Sequence, residues 1–269
     1  MKKYILITGS TDGIGKLAAI KLAQDGHHVI LHGRNPEKLT KVLEEVKAES
    51  PAGEVAGFVA DLANLEDVRQ MAQQLKASYA KIDVLINNAG VFNSPVTHTT
   101  DGLEVRYVVN YFAPYVLTQA LIPQLQKVEE PRIINLSSAA QASINYDVFH
   151  GRQPAQSDRD AYAQSKLAIT MWSFQLAEQL PEITVTALNP GSLLNTKMVQ
   201  EAFGKFWSSA DKGAQIIYDL AVAPKYKGVT GRYFDNDQGD FGPAHADAYQ
   251  STGIQQLMVT TADVLGSVD

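Results

Sequence analysis

The 269-residue chain carries a formal charge of −6, with 45% hydrophobic residues, 19% charged residues and no cysteine. This composition suits a folded globular protein rather than a disordered one, and it excludes disulfides, thiolate chemistry and cysteine-based metal sites. The acidic balance argues against a broad surface for nucleic acid or anionic lipid.

In chain order, the first strand candidate is Tyr4–Thr8, which begins just after Lys2 and Lys3. That leaves no room for a signal peptide, so a cytoplasmic location is expected. Gly9, Ser10, Thr11, Asp12, Gly13, Ile14 and Gly15 follow, leading into a stripe of Ile14, Leu17, Ala18 and Leu22 at helical spacing. Glycines in a strand-to-helix turn let the backbone approach a pyrophosphate, whose charge is attracted by the free amides and positive dipole end of the helix. The second strand, His28–His32, leads to Gly33-Arg34-Asn35-Pro36. Asn35 is a helix cap and Pro36 suits the first helical position. Gly33 stands where a carboxylate would accept bonds from a ribose diol, and Arg34 beside it can pair with a 2′-phosphate or lie solvated on the surface.

Leu39, Val42, Leu43 and Val46 form the next helical stripe, and the strand Val55–Ala60 ends in Asp61-Leu62. Asn64 can cap a helix carrying Leu65, Val68, Ala72 and Leu75, after which the strand Ile82–Ile86 runs into Asn87-Asn88-Ala89-Gly90. The longest uncharged stretch, Tyr107–Gln126, contains Asn110, two prolines and several amides, and reads as a helix buried in protein rather than a membrane span. The strand Arg132–Leu136 ends in Ser137-Ser138, an irregular stretch covers Ala139–Asp160, and Tyr162 and Lys166 lie near the start of a helix. A sixth strand, Ile183–Leu188, leads to Pro190-Gly191, and the tail from Lys225, rich in Gly, Asp and Pro, reads as irregular. Strands that are apolar throughout and alternate with helices imply an α/β doubly wound fold. Its central parallel sheet would carry helices on both faces, in one domain over residues 1–269.

Tyr162 and Lys166, four residues apart, share one helix face. A tyrosine titrates near pH ~10, and a nearby ammonium would stabilise its phenolate enough for proton exchange near neutral pH.

These motifs, in order from residue 8 to residue 191, resemble the short-chain dehydrogenase/reductase family: Thr-Gly-x-x-x-Gly-x-Gly, Asp61-Leu62, Asn87 to Gly90, Ser138 and Tyr162-x-x-x-Lys166. The resemblance implies an oxidoreductase that moves a hydride between NADP(H) and a small-molecule carbonyl or alcohol. It makes Tyr162 the general acid/base, Lys166 the group that lowers its pKa and binds the nicotinamide ribose, Ser138 the holder of the substrate oxygen and Asn110 part of a proton relay. It places the pyrophosphate on Gly9 through Gly15, adenine on Asp61 and Leu62, and the cofactor's edge on Asn88, Ala89 and Gly90. Pro190, Gly191 and Thr196 would border the nicotinamide, and Arg34 favours NADP(H) over NAD(H). No metal is expected.

Twenty-three residues separate Ser138 from Tyr162. That length resembles the branch with retinol dehydrogenases and WW-domain oxidoreductase, with a substrate lid around residues 192–215. Tyr146, Phe149, His150, Phe203, Phe206 and Trp207 either wall an apolar pocket or pack the lid. The rival reading is a non-catalytic NADP(H) sensor or scaffold on the same fold. Nucleic-acid and membrane partners are not expected, and a homo-oligomer through the Tyr107–Gln126 and Tyr162 helices is left open.

Overall fold

The computed structural model describes residues 2–267, apart from the side chains of Phe203 and Ser267. Six strands fall where the apolar runs lie: β1 (Tyr4–Ile7), β2 (His28–Gly33), β3 (Val55–Val59), β4 (Val84–Asn87), β5 (Arg132–Leu136) and β6 (Thr184–Asn189). With β7 (Arg232–Asp235) and β8 (Asp240–Gly242) they form one sheet in the order β3-β2-β1-β4-β5-β6-β7-β8. Every pairing is parallel except β7 with β8.

Successive strand residues point to opposite faces, and here both faces are buried. Ile5, Ile7, Val29, Leu31, Val84 and Ile86 pack with α1 (Gly13–Gln24), α2 (Pro36–Glu49) and α9 (Ala210–Val222). Leu6, Ile30, Leu85, Ile133 and Val185 pack on the other side with α3 (Leu65–Ser78), α5 (Ala113–Leu125), α7 (Asp158–Gln179) and α10 (Ser251–Ser267). The caps read from sequence form: Asn35 accepts the Lys38 amide at 2.8 Å, and Asn64 accepts those of Glu66 and Asp67.

The uncharged stretch is a buried helix, as expected, but not a uniform one. A short α4 (Val105–Tyr107) passes into a π turn, Val108–Phe112, before α5. Such turns cluster at functional sites, and this one holds Asn110.

The tail corrects the sequence reading, because after Lys225 it forms β7, β8 and α10. Arg232–Asp235 is too short to show a period by itself, and it becomes a strand by pairing with β6. A short α6 (Tyr146–Phe149) also interrupts the stretch read as irregular. Among the described residues no helix is long and apolar enough to cross a membrane.

Candidate active site

Strand order reverses between β1 and β4, and a cleft of ≈ 460 Å³ opens at their carboxyl ends, where a doubly wound sheet places its ligand. At its floor Gly9 has φ +63°, and a Cβ there would lie 2.7 Å from Ala89 Cα. Asp12 caps α1 by accepting the Gly13 amide at 2.8 Å. The first amide to bond back within the helix is that of Lys16, to the Asp12 carbonyl, so the amides of Ile14 and Gly15 remain at the helix mouth for an anion. This backbone cradle fits a dinucleotide pyrophosphate.

His32 rivets the cradle from behind. Its Nδ1 accepts the Gly9 amide at 3.0 Å, so Nε2 carries the proton and donates to the Ala60 carbonyl at 3.1 Å. Burial holds the imidazole below its usual pKa against the opposing Ala60 bond and Asp61 charge. Ser10, expected at the cofactor, is buried and does not line the cleft. Its hydroxyl donates to the Ile7 carbonyl at 2.9 Å and accepts the His32 amide at 3.0 Å, so it joins β1 to β2 instead.

At the far end Arg34 is exposed, lines the cleft and has no ion pair among the described residues. Lys38, one turn into α2, also lines it and pairs with Asp12 at 2.6 Å. Burial raises the Asp12 carboxyl, but the Lys38 and Gly13 bonds and the Lys38 and Lys197 charges outweigh it and hold the group below its usual value. Asp61, Leu62, Asn88, Ala89, Gly90, Pro190, Gly191 and Thr196 line the cleft as expected. Thr196 caps α8 (Lys197–Phe203) and lies against the glycine turn.

At the other end Ser138, two residues beyond β5, stands beside Tyr162, and both line the cleft. The Phe92 ring leans over Tyr162 with centroids 4.8 Å apart. Lys166 is buried beneath, its Nζ 5.5 Å from the Tyr162 ring centroid and 2.7 Å from the Leu136 carbonyl to which it donates. The expected depression of the phenol by this ammonium is not what the packing produces. Burial pushes Tyr162 above its usual pKa, the nearby Ser138 hydroxyl opposes that rise, and burial pushes Lys166 down to about 7. The cause is desolvation, which disfavours both charged forms, the phenolate at the cleft's edge and the ammonium beneath it.

Asn110 spends its side chain on neighbours. Its Oδ1 accepts the Val91 amide at 2.8 Å, and its Nδ2 donates to the Val91 carbonyl and Ser165 Oγ. It therefore clamps the loop after β4 to α7. Behind the loop, Asn87 Nδ2 donates to Thr118 Oγ1 and Asn135 Oδ1, linking β4 to α5 and β5.

The open question about the aromatics is decided for those described. Phe149 is fully buried against Tyr107 and Phe112, with Tyr146 and His150 beside it, while Phe206 and Trp207 are exposed. None of these five lines the cleft, and the Phe203 side chain lies outside the described residues. The apolar wall comes instead from Phe92, Leu194, Met198 and Val199, which sequence reasoning missed along with His32 and Lys38. Lys38 left one signal: a cation in a helix's first turn opposes the dipole and invites an anion. Among the described residues no group of three or more His, Cys, Asp or Glu is placed to hold a metal.

A phosphate cradle at the switch point of a doubly wound sheet, continuous with a half-buried tyrosine over a buried lysine, marks a Rossmann-type oxidoreductase. Residues 3–205 match the family model described as short chain dehydrogenase, and the chain belongs to that family. It is 34% identical to retinol dehydrogenase 13 of Mus musculus, over 87% of this chain and 75% of that one. It is 32% identical to polyprenol dehydrogenase of Homo sapiens, over 99% and 86%. A short chain dehydrogenase from Shigella flexneri 2a, solved in complex with NADP, superposes with a TM-score of 0.69 at 31% identity over 87% of this chain and 97% of that one.

Proposed function

We propose that the chain is an NADP(H)-dependent oxidoreductase acting on a carbonyl or the corresponding alcohol. The observation that carries this reading is the placement of Ser138 and Tyr162 together at one end of a cleft whose other end holds the glycine cradle and Arg34. The NADP-bound Shigella relative supports the cofactor, and Arg34, which lines the cleft without an ion pair among the described residues, supports its 2′-phosphate.

When bound, the nicotinamide would supply or accept the hydride. The chain's residues handle the oxygen and its proton. Ser138 donates to the substrate oxygen, and Tyr162 gives that oxygen a proton in reduction or removes it in oxidation. Lys166, poised near neutrality at about 7, offers its remaining donors to the nicotinamide ribose. Asn110 keeps Val91 and Phe92 in place over the phenol. Phe92, Leu194, Met198 and Val199 shield the site from water, and residues 192–215 form the lid that carries the last three.

The test is NADPH oxidation by the full chain with all-trans-retinal and with phenanthrenequinone, in the wild type and in Tyr162→Phe. Turnover by the wild type and loss of at least about 100-fold in the variant are expected, with NADPH affinity within a few-fold. Tight NADPH binding without any turnover would reject the catalytic reading and favour the sensor.

A further inference from the structure

Ser138 sits in a loop after β5 that has no ladder to hold it, yet its hydroxyl must meet Tyr162 in one orientation. What fixes it is its own peptide carbonyl. That oxygen accepts the Tyr233 hydroxyl at 3.0 Å and Gln141 Nε2 at 2.9 Å, which uses both of its lone pairs. Gln141 Oε1 accepts the His245 amide at 3.3 Å. The Ala140 amide donates to Ser138 Oγ at 3.1 Å, which leaves the hydroxyl proton free for the cleft that Tyr162 also lines.

Resting on the function proposed above, we infer that Tyr233 and Gln141 are positioning residues that hold the Ser138 peptide so that its hydroxyl faces Tyr162. The tail thereby takes part in the reaction. Tyr233 is buried on β7 in register with Ala187 of β6, so the extended sheet sets where its hydroxyl arrives. Burial, reinforced by Asp235, keeps that phenol protonated far above the working range, so it remains a donor throughout.

Tyr233→Phe removes one hydroxyl without changing the ring, and Gln141→Leu removes the second donor. With NADPH and phenanthrenequinone, each is expected to lower kcat on the order of ten-fold, with NADPH Kd within about three-fold. Each should also raise the pH midpoint of kcat/KM, which reports the free enzyme, because the Ser138 hydroxyl that favours the Tyr162 phenolate is no longer held beside it. A reduced Tm with wild-type kcat and an unmoved midpoint in the folded variants would overturn the inference and leave the parent reading intact. A wild type without turnover would overturn the parent reading instead. Crystal structures of the variants then decide the positioning: a Ser138 hydroxyl still facing Tyr162 refutes it and one turned away upholds it. If Tyr233→Phe fails to fold, Gln141→Leu carries the same measurements.

Discussion

Gly15→Ala sets a local rule against a tertiary one. Gly15 lies in the first turn of α1 with ordinary helical φ, so helix propensity alone gives alanine an advantage of ~1 kcal/mol. The packing reverses this. A Cβ at Gly15 would overlap Asn88 Nδ2 and lie 2.7 Å from the Gly9 carbonyl oxygen. Asn88 Nδ2 has nowhere to go, because it donates to the Thr8 carbonyl at 2.8 Å and the Gly9 carbonyl at 3.0 Å. Displacing it breaks two hydrogen bonds worth ~1 kcal/mol each, and overpacking costs ~1–3 kcal/mol more. After the propensity gain, the expected net loss is ~2–4 kcal/mol. Because Gly9 and Asn88 shape the cradle, NADPH binding should weaken as well. Urea unfolding followed by fluorescence gives the first quantity and NADPH titration the second. An alanine variant as stable as the wild type, binding NADPH equally well, would refute the reasoning.

Three further outcomes follow from other parts of the site. Arg34→Ala should weaken NADPH binding about 10- to 100-fold, the worth of charge-assisted bonds to a phosphate, while leaving NADH within about three-fold; equal losses for both cofactors would contradict the assignment. Burial holds His32 below the unfolded value of ~6.5, so the unfolded chain binds the proton more readily. The corresponding stability is fully present above pH ~6.5 and is lost as pH falls through the lower folded value. Calorimetric Tm should therefore drop on acidification, and His32→Gln should flatten that slope, His27 retaining a share because burial lowers it too. Arg106, only 1% exposed, donates to the Phe92 carbonyl at 2.6 Å and pairs with Glu104 and Asp158 at 2.5 Å each. Arg106→Met leaves the Glu104 carboxylate buried without its partner and should cost ~3–5 kcal/mol in urea unfolding; a loss below ~1 kcal/mol would show the ion pair to be dispensable.

Much of the fold was legible because its signals are local. Apolar runs of strand length, stripes such as Leu65, Val68 and Leu75, and the caps Asn35 and Asn64 depend on neighbours within a few residues, and all appear where the pattern places them. The glycine turn was readable for the same reason, since a chain that leaves a strand and enters a helix around a phosphate needs glycine at fixed offsets. The π turn at Asn110, β7 and α10 were not readable, because each depends on what packs beside it.

The amino-acid sequence by itself determined the doubly wound order of strands and helices, the cradle, and the presence of Tyr162, Lys166 and Ser138 in one chain. Only the tertiary structure decided how those groups behave: Ser10 turned out to be a tie between strands, Phe149 a core residue and Phe92 the cover over the phenol. It also set the electrostatics, raising Tyr162 and lowering Lys166. Spacing along a helix shows that two side chains can meet, whereas the free energy of charging them depends on how much water the surrounding chain excludes.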